Sequence, residues 1–305
     1  MVGDQEVRIR GLREPSIAIL FLIPSFIVLG LFLFYPIVQT VIFSLHELKY
    51  TMDWWQTPFI GLRNYMSALR STKFWLSLRY TLYFSVVSVF LEFWIGLGMA
   101  LATFWVHPRL RGILRAIIII PWAIPPIIQA SMWKWLFNPD VGMIGDILVK
   151  LGLVSKPPPF LVDRLLAMHS VILADVWKTS SIVAIFLMAG LAAIPQDIYD
   201  AAKVDGARAW FRFRKITLPM LSPTIVVAVL FRSMDALRVF DIVYGLTGGG
   251  PGTTTETLSS FAYKFYFRYT NFGMGSTYAI VVFLFVMAVS FFYIRRVQTS
   301  FRFKG

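Results

Sequence analysis

Long apolar stretches separated by short polar segments dominate this chain. A helix needs about 20 consecutive apolar residues to cross the hydrocarbon core of a bilayer. Six stretches meet this length: residues 17–45, 80–105, 116–137, 167–194, 220–245 and 273–294. Because residues 15–45 contain no charged side chain, the first stretch exceeds the apolar region of a signal peptide and is expected to remain as a spanning helix. The pattern predicts an all-α membrane protein with six transmembrane helices.

The third stretch differs from the others because it contains Pro121, Pro125 and Pro126. Proline removes a backbone donor and clashes with the preceding turn of a helix. At membrane depth such breaks persist only where protein or a water-filled cavity satisfies the freed carbonyl groups. We therefore expect a kinked or broken helix that faces the interior of the bundle.

The composition supports a membrane protein and argues against a nucleic-acid-binding protein or a metal-binding protein. Of the 305 residues, 57% are hydrophobic and only 15% are charged, against about 25% in ordinary soluble domains. The net charge of +13 is scattered between apolar stretches, which argues against a nucleic-acid-binding face. Without cysteine there can be no disulfide or thiolate metal site. The three histidines are far apart and show no metal-ligand spacing, so no metal site is expected.

The distribution of Lys and Arg predicts the orientation in the membrane. One side would carry residues 1–16, 106–115, 195–219 and 295–305, with 15 Lys and Arg in 62 residues. The other side would carry residues 46–79, 134–166 and 248–276, with 11 in 96 residues. Because cytoplasmic loops are enriched in these residues, both termini and the 195–219 loop are expected in the cytoplasm. The predicted organisation is a cytoplasmic segment 1–16, one membrane domain 17–294 and a cytoplasmic tail 295–305.

The 195–219 loop interrupts the apolar pattern with "PQDIYDAAKVDGARAWFRFRKITLP". Pro195 suits the first turn of a short helix, and Gly206 can adopt the positive φ that ends one. The basic and aromatic residues that follow could form a second helical piece along the lipid headgroups. From the residues alone, an interfacial loop without a partner and a docking segment both remain open.

The spacing within this loop resembles the EAA loop of ABC importer permeases. Asp200-Ala201-Ala202 is followed after three residues by Gly206, and after nine more by Ile216-x-Leu218-Pro219. The resemblance implies a coupling helix, between the fourth and fifth spans, that sits in a cleft of an ATP-hydrolysing subunit. Asp200 replaces the family's usual Glu and is one methylene shorter. The residues assigned to coupling are Asp200, Ala201, Ala202, Asp205, Gly206, Leu218 and Pro219.

Other stretches resemble the sugar-importer branch of this family, most closely its trehalose and maltose permeases. They include "FIGLRNYMSAL" at 59–69, "LTGGGPGTTTETL" at 246–258 and the run from 174 to 241. The resemblance implies a prokaryotic cytoplasmic-membrane subunit that forms half of a translocation pathway and is not itself an enzyme. It also implies a second homologous permease, an extracytoplasmic sugar-binding protein and two nucleotide-binding ATPase subunits. ATP and Mg would be bound by those subunits, and this chain is expected to hold no cofactor.

Several charged residues fall within the apolar stretches or at their ends. A charge in lipid costs about 2.5–3.5 kcal/mol or more, so these side chains should face the bundle interior. They could neutralise one another, or they could line a polar pathway for sugar with Trp177 as a stacking surface. By the resemblance, the substrate candidates on the helices before and after the coupling loop are Asp175, Trp177, Lys178, Thr179, Arg232, Asp235 and Ala236. Arg238 is a further candidate among the charges, and Gln129 and Ser131 are further candidates on the proline-containing stretch. Glu92 and Asp241 are additional charges in or at the ends of apolar stretches.

The segment Gly248–Gly252 is not a phosphate-binding loop, because no Lys-Ser/Thr pair follows it. It could be a flexible turn. By the resemblance, it could instead be an outward loop near the docking surface of the binding protein.

Three other functions remain to be distinguished. Lys178, Arg232 and Arg238 could serve a phosphate, so glycerol-3-phosphate is an alternative substrate. A proton-driven secondary transporter would use the intramembrane carboxylates directly but leaves the coupling loop unexplained. A membrane-embedded enzyme would need an acidic or histidine cluster at one membrane face, and the sequence does not show one.

Overall fold

The computed structural model describes residues 14–51, 53 and 56–302, and these form an all-helical bundle, as predicted. Across those ranges the only β-type pairing consists of two isolated bridges, His46 with Phe59 and Lys49 with Asn271. The α-helices are α1 (Glu14–Leu29), α2 (Tyr35–Ser44), α3 (Arg63–Arg70), α4 (Thr72–Trp105), α5 (Pro108–Ala123), α6 (Pro126–Leu136), α7 (Met143–Lys150), α8 (Arg164–Ala192), α9 (Gln196–Val204), α10 (Ala209–Arg212), α11 (Leu218–Leu237), α12 (Asp241–Leu246), α13 (Leu258–Tyr263) and α14 (Phe272–Arg302).

Within the described ranges, five helical segments are long and apolar enough to cross a membrane. They are Ile19–Ser44, Thr72–Trp105, Arg164–Ala192, Ala209–Leu237 and Phe272–Arg295. The proline-containing stretch forms α5 and α6, which meet at 91° and make a sixth span if the pair is counted as one. The expected break in this stretch is therefore present. The expectation that the stretch faces the bundle interior was wrong for α5, which has no buried residue, and holds only for the Gln129, Ala130 and Trp133 side of α6.

The fifth predicted span, residues 220–245, was wrong at both ends. The helix begins at Ala209 and ends at Leu237, and a separate short helix, α12, follows. The basic and aromatic piece after Gly206 is thus continuous with the helix of this span and does not form a separate helix. Hydropathy missed this start because four basic side chains, Arg208, Arg212, Arg214 and Lys215, lower the average there.

Two other boundaries also differ from the apolar pattern. Helix α4 starts at Thr72, eight residues before the predicted 80, since Lys73 and Arg79 interrupt the apolar run but not the helix. Helix α14 continues to Arg302, so most of the predicted tail 295–305 is helical. Residues 1–13 and 303–305 lie outside the described ranges.

Two prolines are accommodated inside long helices by π-helical turns. Gly30–Phe34 is π-helical two residues before Pro36, and Phe213–Thr217 is π-helical two residues before Pro219. A π turn widens the helix locally, which makes room for the proline ring and its missing N–H donor. The first and fifth spans therefore pass through Pro36 and Pro219 without breaking, while Pro24 and Pro223 lie inside α-helical segments.

Helices α4 and α8 form the centre of the bundle. A Cβ at Gly96 of α4 would lie 2.8 Å from Val183 Cγ1 of α8, so glycine permits the close approach. At Gly190, a Cβ would lie 2.5 Å from Thr224 Oγ1, which brings α11 equally close. This packing places α4, α8 and α11 side by side along the site described next.

Candidate functional site

A cavity of about 320 Å³ lies where the break between α5 and α6 meets α8 and the end of α11. Ligand sites in proteins usually occupy about 300–1,000 Å³. Its lining residues are Pro126, Gln129, Asp175, Lys178, Arg232, Asp235, Arg238, Val239, Phe240, Asp241 and Ile242. Six of the substrate-pathway candidates selected from the sequence therefore lie around one cavity: Gln129, Asp175, Lys178, Arg232, Asp235 and Arg238.

Arg232 is the centre of a charge cluster with the buried Glu92 and Asp175 and the exposed Asp235. Its guanidinium pairs with Glu92 through Nε and Nη2, with Asp175 through Nη2, and with Asp235 through Nη1 at 3.0 Å. Glu92 and Arg232 are 0% and 5% exposed. Because the three partners come from α4, α8 and α11, the cluster ties these helices together. Such close, multiply bonded geometry is what a buried ion pair needs to offset desolvation.

Thr179 contacts the charge cluster through Glu92 but is not among the residues that line the cavity. Its Oγ1 lies within hydrogen-bond distance of both Glu92 Oε1 (2.7 Å) and the Asp175 carbonyl oxygen (2.6 Å). Thr179 therefore orients Glu92 and does not line the cavity. Glu92 was noted from the sequence as an intramembrane charge but was not selected as a candidate, since nothing in its local pattern reveals a partner 140 residues away.

Two side chains satisfy backbone carbonyls beside the α5–α6 break. Lys178 Nζ donates to the Ile124 carbonyl oxygen at 2.7 Å, at the residue where α5 ends. Gln129 Nε2 donates to the Ala174 carbonyl oxygen at 2.6 Å and joins α6 to α8. The Lys178 contact thus satisfies a carbonyl freed at the proline break, whereas the Gln129 contact holds α6 against α8.

The charges that line the cavity are balanced. Three acids (Asp175, Asp235 and Asp241) face three bases (Lys178, Arg232 and Arg238). Asp235 Oδ1 also accepts a hydrogen bond from Arg238 at 3.3 Å, at the exposed end of the cavity. The expected pairing of these charges with one another is therefore present, and several of them also line the cavity. Their role in a sugar pathway stays a prediction.

The remaining sequence candidates lie elsewhere. Trp177 is edge-on to Trp133, with ring centroids 5.8 Å apart, and packs on a core cluster instead of facing the cavity. Ala236 is fully buried in the same core. Ser131 is exposed and bonds to the Ile127 carbonyl oxygen within its own helix. Val239, Phe240 and Ile242 line the cavity but were missed, because the fifth span was predicted to continue through them.

Part of the predicted coupling loop forms helix α9, which lies away from this cavity. Tyr199 is its one buried residue, at 0% exposure. The Tyr199 Oη atom lies 3.0 Å from Thr217 Oγ1 in the π turn of the fifth span. Its ring packs against Phe104 and Trp105 at the end of α4, with centroids 5.7 and 6.0 Å away. Tyr199 thus connects α9 to two spanning helices.

Gly206 ends α9 as predicted, with φ +74°. Its N–H donates to the Lys203 carbonyl oxygen at 3.0 Å, and the Ala207 N–H donates to the Ala202 carbonyl oxygen at 2.9 Å. These two bonds form a Schellman motif, which satisfies the last carbonyls of a helix and favours glycine at this position.

The rest of α9 faces outward. Asp200 accepts a hydrogen bond from Lys203 Nζ at 2.7 Å, and this bond lowers the pKa of the Asp200 carboxyl. Ala201 and Asp205 are exposed and Ala202 is half-buried, while Val204 is 89% exposed although it is apolar. Of the other residues assigned to coupling, Leu218 and Pro219 begin α11 and lie after the π turn.

The Gly248–Gly252 segment is held by hydrogen bonds from the threonines that follow it. Thr255 Oγ1 donates to the Gly250 carbonyl oxygen at 2.7 Å, and Thr254 Oγ1 donates to that of Pro251 at 2.9 Å. Beside it, Lys264 and Glu256 form a largely buried ion pair at 2.6 Å. These bonds favour an ordered loop over a freely flexible turn.

Comparison with known proteins identifies relatives across almost the whole chain. A family model described as "Binding-protein-dependent transport system inner membrane component" matches residues 93–301. The chain is 42% identical to the trehalose/maltose transport system permease protein MalF of Thermococcus litoralis, over 93% of this chain and 94% of the relative. It is 38% identical to the trehalose transport system permease protein SugA of Mycobacterium tuberculosis, over 78% and 75%.

A solved structure shares the fold. A bacterial ABC transporter involved in import of the acidic polysaccharide alginate aligns with a TM-score of 0.81 over 93% of this chain and 95% of that one, at 22% identity. At that identity the match supports the helix arrangement and carries no information on the substrate.

Proposed function

The chain belongs to the family of binding-protein-dependent transport system inner membrane components, and we propose that it is a permease subunit that imports trehalose or maltose at the expense of ATP. It is a multi-pass protein of the inner membrane. Members of this family act with separate ATP-hydrolysing subunits, so hydrolysis is assigned to a partner. A second, homologous permease would complete the pathway, and an external binding protein would deliver the sugar.

The observation that carries this proposal is the cavity around Arg232. It lies beside the break between α5 and α6, and discontinuous helices form the solute sites of many membrane transporters. Its polar lining offers carboxylates that accept hydrogen bonds from sugar hydroxyls and cations that donate to them. Phe240 adds a ring surface.

The charge balance favours a neutral sugar over glycerol-3-phosphate. Arg232 is already bonded to three carboxylates, and Lys178 already donates to the Ile124 carbonyl oxygen. A phosphate dianion would enter a cavity whose lining has no excess of positive charge. It would also have to displace at least one buried ion pair, at a cost of about 3–5 kcal/mol.

Helix α9 would transmit the motion of the ATPase. Its outward face, with Asp200, Ala201 and the exposed apolar Val204, offers a small, mixed surface for docking in a cleft of the partner. Tyr199 would carry a displacement of α9 to α4 and to the fifth span. Since α4 and α11 both reach the charge cluster, closure of the ATPase could switch the cavity between inward and outward access.

The test is reconstitution of the co-purified complex in vesicles with a binding protein and a panel of trehalose, maltose, lactose and glycerol-3-phosphate. We expect ATP-dependent uptake, and stimulated ATP hydrolysis, with trehalose or maltose. Uptake that stops on collapse of the proton gradient but continues without ATP would instead identify a secondary transporter. Preferential uptake of glycerol-3-phosphate would overturn the sugar assignment.

A further inference from the structure

A second cavity, of about 390 Å³, lies where α4 and α8 end and α5 and α9 begin. Two arginines of α5, Arg111 and Arg115, line it one helical turn apart. This side of the bundle is the one to which the Lys and Arg bias assigns the cytoplasm. The cavity is separate from the one around Arg232, and neither arginine has a role in the proposed transport mechanism.

The two guanidinium groups make the cavity strongly positive. The side chains that line it include no carboxylate, and within the described residues neither arginine forms an ion pair. Arg111 is fixed in place because it donates to the carbonyl oxygens of Phe104, at 2.9 Å, and Val106, at 3.2 Å. Arg115 is exposed and forms no hydrogen bond with the described part of the chain. Within the described part of the chain, no carboxylate thus pairs with the two arginines of this cavity.

The rest of the lining is largely apolar. Phe104, Met188 and Leu191 form a wall beside the arginines. Helix α9 begins at the rim with Gln196, and Pro195 provides no side-chain cap for its first N–H groups. The positive end of a helix dipole adds to the field of the arginines. An occupant should therefore combine an anionic group with an apolar body.

We propose that this cavity binds the phosphate of an anionic phospholipid, with the glycerol and first acyl carbons against the apolar wall. Positively charged pockets at the cytoplasmic ends of helices are suited to such headgroups. Free phosphate offers the same charge but makes no use of Phe104, Met188 and Leu191. Since Gln196 starts α9, a bound lipid would steady the end of α9 that enters the membrane domain. The inference needs only the membrane location and not the sugar specificity.

The experiment measures lipid retention by native mass spectrometry. The full chain with its co-purifying subunits is placed in nanodiscs of phosphatidylcholine with added phosphatidylglycerol, then released and analysed. Arg115→Gln removes a cavity charge without disturbing the α4 carbonyls that Arg111 satisfies. Arg109→Gln is the matched control, because Arg109 lies on the same helix, is exposed and does not line the cavity.

We expect retention of phosphatidylglycerol to fall about tenfold in Arg115→Gln, the factor by which a lost hydrogen bond to a charged group weakens binding, and to stay near the wild-type level in Arg109→Gln, whose side chain does not line the cavity. Equal retention in the two variants would overturn the site. In a third sample, inorganic phosphate is added to the wild-type protein before it is released from the nanodiscs. If phosphate at millimolar concentration displaces the lipid, the cavity is a free-phosphate site and the lipid assignment is wrong. Circular dichroism of all variants confirms that the helices are intact.

Discussion

Tyr199 of α9 lies 3.0 Å from Thr217 of the fifth span, oxygen to oxygen, and both side chains are fully buried. A short surface helix is thereby fixed to a spanning helix by one side chain. The same ring contacts Phe104 and Trp105 at the end of α4. Since Tyr199 is the sole buried residue of α9, the position of this helix depends on it.

Substitution of Tyr199 should therefore uncouple ATP hydrolysis from uptake. Tyr199→Ala removes a buried ring, which typically costs about 3–5 kcal/mol, and α9 should lose its fixed position. Tyr199→Phe loses only the hydrogen bond, worth about 1 kcal/mol. We expect uptake to be lost in the first variant and largely kept in the second, in reconstituted vesicles. Equal uptake in both would show that α9 does not transmit motion through this ring.

Removal of Arg232 should destabilise the bundle strongly. Arg232→Gln leaves Glu92 and Asp175 buried without their cation, at a cost of about 3–5 kcal/mol. Arg238→Gln is the control, because Arg238 is 65% exposed and pairs only with the exposed side of Asp235. Surface pairs of this kind contribute about 0–1 kcal/mol. Thermal unfolding of the purified variants measures the difference, and similar melting temperatures would argue against a structural role for the charge cluster.

Gly206 should tolerate only residues that adopt a positive φ. Gly206→Pro cannot reach φ +74° and removes the N–H that bonds to Lys203. We expect it to abolish ATP-driven uptake while membrane insertion, followed by fractionation, is unchanged. Gly206→Asn should keep most uptake, since Asn is the other residue common at this position of a helix end. Full transport by the proline variant would count against the coupling role of the loop.

Gly96 and Gly98 of α4 provide a test substitution and its control for the close packing of α4 on α8. A Cβ at Gly96 meets Val183, whereas a Cβ at Gly98 meets nothing within 4 Å. Gly96→Ala should push α4 from α8 and cost about 1–3 kcal/mol, as overpacking usually does. Gly98→Ala should be neutral or stabilising by up to about 1 kcal/mol, from the higher helix propensity of alanine. Melting temperatures that shift in the same direction for both would contradict the close packing of α4 on α8.

The local sequence pattern alone was sufficient to predict much of the secondary structure of this protein. Apolar length located the spanning segments, because a bilayer requires it. The prolines at 121, 125 and 126 predicted the break between α5 and α6, and Gly206 predicted the end of α9, because each effect depends on the residue's own backbone. The family was also readable from spacing, since the residues of the 200–219 loop that resemble the family's pattern stand at fixed separations along the chain.

Only the tertiary structure decided which charges meet and which face a cavity. Glu92 and Arg232 are 140 residues apart and contact because α4 and α11 pack side by side. Asp175 and Lys178 are three residues apart on one helix, yet Asp175 pairs with Arg232 while Lys178 reaches the Ile124 carbonyl oxygen. Trp177, between them, turns into the core. Helix periodicity specifies the face on which a side chain lies, but the neighbour that face meets depends on packing across the whole bundle.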